Sequence, residues 1–302
     1  MSLNQINAVA GGVSDAAFFW FMLAGSAALG AIIGSFLNVV IHRLPRGESI
    51  VFPNSRCPSC DTAIRPYDNV PVLSYLLLRG RCRACGAAIS ARYPAVEALT
   101  ALLFAAVFLH AALRPALPFG PVFFASLLFD FVFVAALVAL IFIDAEHMIL
   151  PDKITYPGIA FALAARALVP NLYGLGFLTD GPAADWPAWA TSLAGAIFGA
   201  LVGGGSLWLV GWLWERLRGV EAMGLGDVKM MFMVGAYLGW PLTVLTIFLG
   251  VLTGSVVGVA IMLRRGRGDM KMLLPFGIFL GLGSIISLLF GLSIVTWYVG
   301  QF

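Results

Sequence analysis

Two aspartates are the residues of this apolar chain whose type and placement could do chemistry. Asp227 lies in residues 224–229 (Gly-Leu-Gly-Asp-Val-Lys), at the start of a strongly apolar stretch, and Asp144 ends another such stretch. A carboxylate costs roughly 2.5–3.5 kcal/mol at the centre of a membrane helix and less near its end, so such residues usually serve a function. Gly224 and Gly226 remove side chains beside Asp227 and let another backbone come close.

Two neighbouring carboxylates at one membrane depth can hydrolyse a peptide bond. One ionised carboxylate takes a proton from water, and its protonated neighbour donates to the carbonyl or the leaving group. Close carboxylates do not both ionise cheaply, so the pair shares a proton, and the sequence leaves open which aspartate holds it. The alternative is that both are interfacial residues paired with a cation such as Lys229. Asp130 lies about 21 Å outward along the same helix as Asp144, too far to join the pair. Asp152 is a weaker catalytic candidate that could instead cap the next helix.

Other protease chemistries find no support in the sequence. The three histidines are His42, His110 and His147, and no H-E-x-x-H motif occurs, which argues against a zinc metalloprotease. No histidine follows His147, so Ser206 and Ser255 lack a base on a later helix.

Four cysteines form two close pairs, Cys57 with Cys60 and Cys82 with Cys85. Twenty-one residues separate the pairs, just beyond the usual spacing of paired zinc knuckles. Reducing conditions in the cytoplasm favour four thiolates on Zn²⁺ over two disulfides, with a redox or free-thiol role as the alternative. Because four sulfurs close the coordination shell, we expect a structural metal and no metal in peptide hydrolysis.

The composition predicts an all-α polytopic membrane protein. Of its 302 residues, 61% are hydrophobic and only 11% charged, against about a quarter charged in soluble proteins. The first apolar run is too long for a cleaved signal peptide, so we expect it to be retained. We expect a first transmembrane helix at 16–41, a zinc-ribbon-like polar domain at 42–94 and a polytopic peptidase domain at 95–299. Eight spans are predicted, at about 16–41, 95–113, 121–143, 149–169, 189–214, 224–240, 242–262 and 273–299. A tight Trp240-Pro241 turn should join spans six and seven, and a polar loop should fill 170–188.

The positive charges predict the orientation of these spans. Sixteen Lys and Arg residues fall on the side of the polar domain and two, Arg114 and Arg166, on the other. Cationic loops stay in the cytoplasm, so both termini should be periplasmic. Asp144, at the end of span three, and Asp227, at the start of span six, then share the cytoplasmic side.

Several motifs in one order resemble the bacterial type IV prepilin peptidases, the bifunctional leader peptidase/N-methyltransferases. They cover nearly the whole chain: residues 34–45 (Gly-Ser-Phe-Leu-Asn-Val-Val-Ile-His-Arg-Leu-Pro), both cysteine pairs, 92–94 (Arg-Tyr-Pro) with Glu97, Asp144 with 151–152 (Pro-Asp), and 224–227 (Gly-Leu-Gly-Asp). The last is similar to the G-x-G-D signature of presenilin-type intramembrane proteases. The resemblance implies that Asp144 and Asp227 are the catalytic pair. One departure is the interval between them, which is longer than usual for the family, with the excess most easily placed in the 170–188 loop.

The resemblance also implies a substrate and a second activity. The substrates would be prepilins and pseudopilins of type IV pili or type II secretion, whose basic leader is cut after a glycine on the cytoplasmic side of the bacterial inner membrane. The new N-terminal residue, usually Phe, would then be methylated with S-adenosylmethionine. Gly80 and Arg81 match positions linked in the family to methylation, with a turn glycine and a positive-inside arginine as the equally weighted alternative.

Two other functions stay open at this point. One is a peptidase without methyltransferase activity, although such relatives generally lack the cysteine domain. The other is a non-enzymatic transporter or assembly scaffold with a structural zinc domain, whose charges should line a pathway near the bilayer midplane. Lipid and pilin precursors are the expected partners, and nucleic acid is not.

Overall fold

The structure is a computed structural model that describes residues 13–113, 119–170, 185–220, 223–265 and 274–301, and every regular element in these ranges is helical. Short 3₁₀ turns follow the first helix, at Leu44–Arg46 and Pro66–Asn69, and a π-helical turn, Leu201–Gly205, joins the helices Ala188–Ala200 and Ser206–Arg218. The helices are α1 (Val13–Arg43), α2 (Leu73–Leu77), α3 (Arg92–Ala112), α4 (Pro121–His147), α5 (Asp152–Leu168), α6 (Ala188–Ala200), α7 (Ser206–Arg218), α8 (Leu225–Leu238), α9 (Trp240–Arg265) and α10 (Phe276–Val299). The predicted all-α class is confirmed.

Six helical segments in the described ranges are long and apolar enough to cross a membrane. They are α1, α3, α4, the continuous segment formed by α6, the π-helical turn and α7, then α9 and α10. The other two predicted spans, 149–169 and 224–240, are helices of 17 and 14 residues. Pro151 precedes the first helical residue of α5, and Gly239, with a φ of 79°, ends α8. At 1.5 Å per residue α8 is about 21 Å long, shorter than the ~30 Å hydrocarbon core. A helical segment is found at each of the eight predicted spans, but α5 and α8 fall below full membrane-crossing length.

The turn expected at Trp240-Pro241 occurs one residue earlier. Gly239 takes the left-handed φ, and Trp240 already begins α9. Pro241 falls in the first helical turn, where its missing N–H would have no intrahelical partner. Most of the loop predicted at 170–188, residues 171–184, lies outside the described residues.

The chain divides into two compact units, Met1–Val138 and Ala139–Phe302. In the first unit α1 packs closely along α3. A Cβ added to Gly30 would lie 2.6 Å from the Thr100 carbonyl oxygen, and one added to Gly34 would lie 2.7 Å from the Glu97 Cα. Asn38 Nδ2 donates to the Tyr93 carbonyl oxygen at 3.1 Å. The 34–45 and 92–94 motifs therefore build one helix–helix contact.

A strained turn attaches the polar segment of the first unit, residues 66–83, to α3. Val72 has a φ of 61° and a ψ of −48°, and the Leu73 N–H donates to the Pro71 carbonyl oxygen at 2.6 Å, as in the rare form of the γ-turn. The Val72 N–H donates to Glu97 Oε2 at 2.7 Å. Because Glu97 is buried in α3, this bond ties the polar segment to the start of that helix.

Helix α8 forms the core of the second unit. Met230, Met231 and Tyr237 are fully buried. A Cβ on Gly235 would lie 2.1 Å from the Gly199 carbonyl oxygen, and one on Gly199 would lie 2.3 Å from the Gly235 carbonyl oxygen. The backbones of α6 and α8 are thus in direct contact, and this contact fixes the helix that carries Asp227.

Candidate active site and thiol cluster

Asp144 lies in the last turn of α4 and is only 5% exposed. Its Oδ2 accepts a hydrogen bond from the Ile278 N–H at 3.2 Å, in the first turn of α10. Those first-turn amides have no partner within their own helix, so they are free to bind a carboxylate. The α10 helix therefore holds the Asp144 side chain from outside α4.

Asp227 lies in the first turn of α8, with Gly224 as the N-cap. A Cβ added to Gly226 would lie 3.0 Å from Leu150 Cβ, so the glycine is needed for this approach. Gly224 has an ordinary extended conformation, and no neighbour comes closer than 3.9 Å to its added Cβ. Of the two motif glycines, the second has the clear packing role.

Leu150 is the neighbour through which the two aspartate segments meet. It packs against Gly226, and a Cβ added to Gly277 would lie 3.2 Å from Leu150 Cδ1 and 2.8 Å from Asp144 Oδ2. The charge of Asp144 also acts repulsively on an ionised Asp227. The structure thus brings Asp144 and Asp227 into one site. The Asp144 carboxylate faces the N-terminal end of α10 and Asp227 lies in the first turn of α8, and negative charge is favoured at both helix ends.

Lys229 pairs with Asp152 and not with the predicted catalytic aspartates. Lys229 Nζ lies 2.7 Å from Asp152 Oδ1 and 5.1 Å from the centre of the Tyr156 ring. The pair connects α5 to α8 beside Asp227. Asp152 is the first residue of α5, half-exposed and engaged by the lysine, whereas Asp130 is buried in α4 within the first unit.

Sequence reasoning missed the contribution of Leu150, Gly277 and Ile278 to this site. The signal for the last two was present, because Pro275 lies near the start of the last apolar stretch, and proline often marks the start of a helix. A glycine two residues later suggests a close approach by another group. What the sequence did not contain was the identity of that group.

The four cysteine sulfurs of the first unit form one cluster, all within 4.8 Å of one another, and no disulfide joins them. Tetrahedral zinc with Zn–S bonds of about 2.3 Å would require sulfurs about 3.8 Å apart, and Cys57 Sγ and Cys85 Sγ are 3.9 Å apart. The donor set therefore fits a four-thiolate metal site.

The cluster is built from two copies of one pattern, Arg-Cys-x-x-Cys-x-x-Ala-Ile, at 56–64 and 81–89. In each copy the first cysteine N–H donates to a carbonyl five residues on, at 3.0 Å for Cys57 and 2.8 Å for Cys82. Each copy also has an antiparallel bridge from the arginine to the alanine, Arg56 to Ala63 and Arg81 to Ala88. Each copy thus presents two sulfurs from a matching turn.

Hydrogen bonds within these turns favour thiolate at two of the sulfurs. The hydroxyl and backbone of Thr62 lower the pKa of Cys60 to about 6, and backbone hydrogen bonds at Cys85 and Ala84 lower the pKa of Cys82. A backbone hydrogen bond at Ala87 also favours the Cys85 thiolate, but the neighbouring thiols and burial outweigh it and raise the pKa of Cys85 to about 11. A metal would therefore displace protons as it binds the set.

Gly80 and Arg81 lead directly into the second cysteine pair. Gly80 has a φ of 66°, its N–H donates to the Tyr75 carbonyl oxygen at 2.9 Å, and an added Cβ would lie 2.9 Å from the Tyr75 hydroxyl. Arg81 is exposed. The conformation gives Gly80 a turn role whatever else it does, and Arg81 presents its guanidinium to solvent.

Fold and site together define a polytopic α-helical membrane protein with a paired-carboxylate site and a separate four-thiol cluster. Residues 28–111 match the Bacterial Peptidase A24 N-terminal domain, and residues 131–259 match the Type IV leader peptidase family. The chain belongs to the type IV leader peptidase family, which confirms the resemblance predicted from its motifs.

Several curated relatives cover nearly the full chain. A prepilin leader peptidase/N-methyltransferase of Pseudomonas aeruginosa is 38% identical over 294 residues, covering 90% of this chain and 91% of its own length. One of Aeromonas hydrophila is 40% identical over 295 residues, with 90% and 91% covered. One of Burkholderia pseudomallei is 36% identical over 294 residues, with 89% and 85% covered. No solved structure matches the chain significantly.

Proposed function

We propose that the chain is a bifunctional enzyme that removes the basic leader of prepilins and pseudopilins and then methylates the new N-terminal residue. The observation that carries the peptidase half is the meeting of Asp144 and Asp227 around Leu150. They come from helices far apart in sequence, and each carboxylate lies at a helix N-terminus. Full-length relatives named for both activities support the pairing of the two reactions in one chain.

In the proposed hydrolysis the two aspartates act as an acid–base pair. One carboxylate takes a proton from water as the water oxygen bonds to the scissile carbonyl carbon. The carboxyl of the other aspartate protonates the leaving amide nitrogen, so that the C–N bond breaks to give a carboxylic acid and an amine. The mutual repulsion of the two charges favours the singly protonated pair that this chemistry needs. No metal takes part in this scheme.

The methyl-transfer half is assigned to the first unit. S-adenosylmethionine would supply the methyl group, and the exposed Arg81 offers a guanidinium for its carboxylate. The family's methylation-linked glycine, Gly80, would hold the turn that presents Arg81. Cys57, Cys60, Cys82 and Cys85 would hold Zn²⁺ as a structural ion, because all four ligand positions are filled by protein.

The proposed location is the bacterial inner membrane, with both termini periplasmic and the paired carboxylates facing the cytoplasm. The sixteen-to-two distribution of Lys and Arg supports this orientation. The partners would be pilin precursors, whose apolar segments lie in the same bilayer.

The test is incubation of purified protein with a prepilin and labelled S-adenosylmethionine, with cleavage and methylation scored separately. Asp144→Asn and Asp227→Asn should abolish cleavage yet still methylate an already mature pilin, and Asp130→Asn is the control that should retain substantial cleavage. Gly80→Val and Arg81→Ala should impair methylation more than cleavage. Cleavage at the wild-type rate by either Asp144→Asn or Asp227→Asn would refute the peptidase assignment, and equal loss of both activities at position 80 or 81 would refute separate sites.

A further inference from the structure

The first turn of α10 contacts Asp144 through backbone atoms alone. The Ile278 N–H donates to Oδ2 at 3.2 Å, and the Gly277 backbone also hydrogen-bonds the carboxylate. Pro275, the N-cap, sets the start of the helix so that the amides of positions 277 and 278 point out of its end. Both contacts on this carboxylate therefore depend on the chain path at 275–278.

Gly277 is needed for this contact for a steric reason. A Cβ there would lie 2.8 Å from Oδ2 and 3.1 Å from Cγ of Asp144, closer than ordinary van der Waals contact. Both atoms belong to the short side chain of Asp144, which is only 5% exposed, so the carboxylate has little room to move aside. An alanine would push the carboxylate away from the two amides.

We infer that the backbone at Gly277 and Ile278 is a positioning element for catalysis, which holds Asp144 through Oδ2 and leaves Oδ1 to face the water and Asp227. This inference rests on the proposed function of Asp144. In this role the two residues act through their contact with the aspartate. A carboxylate fixed in this way needs no reorientation before proton transfer, and a displacement of about 1 Å in such a geometry can lower the rate about 100-fold.

A purely structural role of the contact between Asp144 and α10 predicts different kinetics from a positioning role. If Asp144 only caps α10, the loss of the contact should lower stability and affect both activities of the enzyme together. If the contact positions the reacting carboxylate, its loss should lower kcat for cleavage while KM for prepilin and the methylation of mature pilin stay near wild type.

Two pairs of variants in the full-length enzyme separate these roles. Ile278→Pro removes the donating N–H in the first helical turn, where proline is tolerated, whereas Ile278→Ala keeps it. Gly277→Ala introduces the clash, whereas Gly254→Ala, in α9, would place its Cβ at an ordinary 3.4 Å from Phe279. We expect Ile278→Pro and Gly277→Ala to lower kcat about 100-fold, and Ile278→Ala and Gly254→Ala to stay within about threefold of wild type.

Asp144→Asn is measured in the same assays. This variant distinguishes a failure of the proposed catalytic role of Asp144 from a failure of the positioning role of Gly277 and Ile278. Activity in Asp144→Asn would refute the proposed function itself. An inactive Asp144→Asn together with wild-type kcat in Gly277→Ala and Ile278→Pro would refute the positioning role alone. Parallel loss of cleavage, methylation and thermal stability in both variants would also overturn it, since the contact would then be structural.

Discussion

The bond between the Val72 N–H and the Glu97 carboxylate should control how firmly the polar segment is held to α3. Val72 has a backbone conformation that costs a β-branched residue about 1–3 kcal/mol. A hydrogen bond to a charged acceptor contributes about 1.5–3 kcal/mol, enough to offset that strain. Glu97→Ala removes the bond and leaves the strain, so residues 66–83 should open more often.

The size of the effect follows from the bond itself. Losing about 1.5–3 kcal/mol raises the open population about 10- to 150-fold, because each 1.4 kcal/mol is a factor of about ten. Trypsin reports that population, since the exposed Arg79, Arg81 and Arg83 can be cut only when the segment opens. Glu97→Gln keeps a neutral acceptor and should lie between wild type and Glu97→Ala.

Two further variants make the assay decisive. Val72→Gly in the Glu97→Ala background should slow trypsin again, because glycine adopts the positive φ without the steric cost. Glu48→Ala removes an exposed carboxylate that lies outside residues 66–83 and should leave the rate unchanged. A Glu97→Ala protein cut at the wild-type rate would show that the Val72–Glu97 bond does not hold the segment.

Three other outcomes are expected. Purified protein should contain about one zinc per chain, and Cys→Ser at any of the four cysteines should release it and increase proteolysis of 42–94; reduced, active protein without zinc would contradict this. Arg83 Nη2 lies 2.6 Å from Asp68 Oδ1 and holds the pKa of that carboxyl below its ordinary value. The pair therefore stabilises the segment fully above about pH 4, and this stabilisation is lost as the pH falls through the lowered pKa. Arg83→Ala should therefore speed amide exchange of 66–83 at pH 7, with a difference from wild type that shrinks below about pH 4; a constant difference would refute the linkage. Gly235→Ala, whose Cβ would lie 2.1 Å from the Gly199 carbonyl oxygen, should lower the free energy of unfolding by about 1–3 kcal/mol. Gly205→Ala is the control, because an added Cβ there has open space.

The sequence was sufficient for the parts of the fold that depend on composition and local pattern. Long apolar runs predicted the helices, whereas the orientation drawn from the charge distribution, with both aspartates on the cytoplasmic side, stays a prediction. The cysteine pairs indicated a cluster because their spacing is a local property. The G-x-G-D motif singled out Asp227, although only Gly226 turned out to have a packing reason to be glycine.

The rest depended on contacts between distant parts of the chain. Nothing in the hydropathy of 224–240 distinguishes a full span from a 14-residue helix, because the break at Gly239 is a matter of one backbone angle. The partner of Lys229 was ambiguous among several carboxylates until α5 placed Asp152 within 2.7 Å. The bond from Ile278 to Asp144 joins residues 134 positions apart and uses a backbone amide, which every residue except proline offers.

The short helix α8 also bears on how the enzyme responds to its lipid environment. A lipid-facing helix of about 21 Å would be mismatched with a hydrocarbon layer of ~30 Å and would have to thin it locally. Nine of the fourteen α8 residues are buried, so protein and not acyl chain surrounds most of this helix. Tilt of a longer and more exposed helix such as α9 would then accommodate variation in bilayer thickness. The depth of Asp227 is set by contacts such as that between Gly199 and Gly235, and it should stay constant across membranes of different lipid composition.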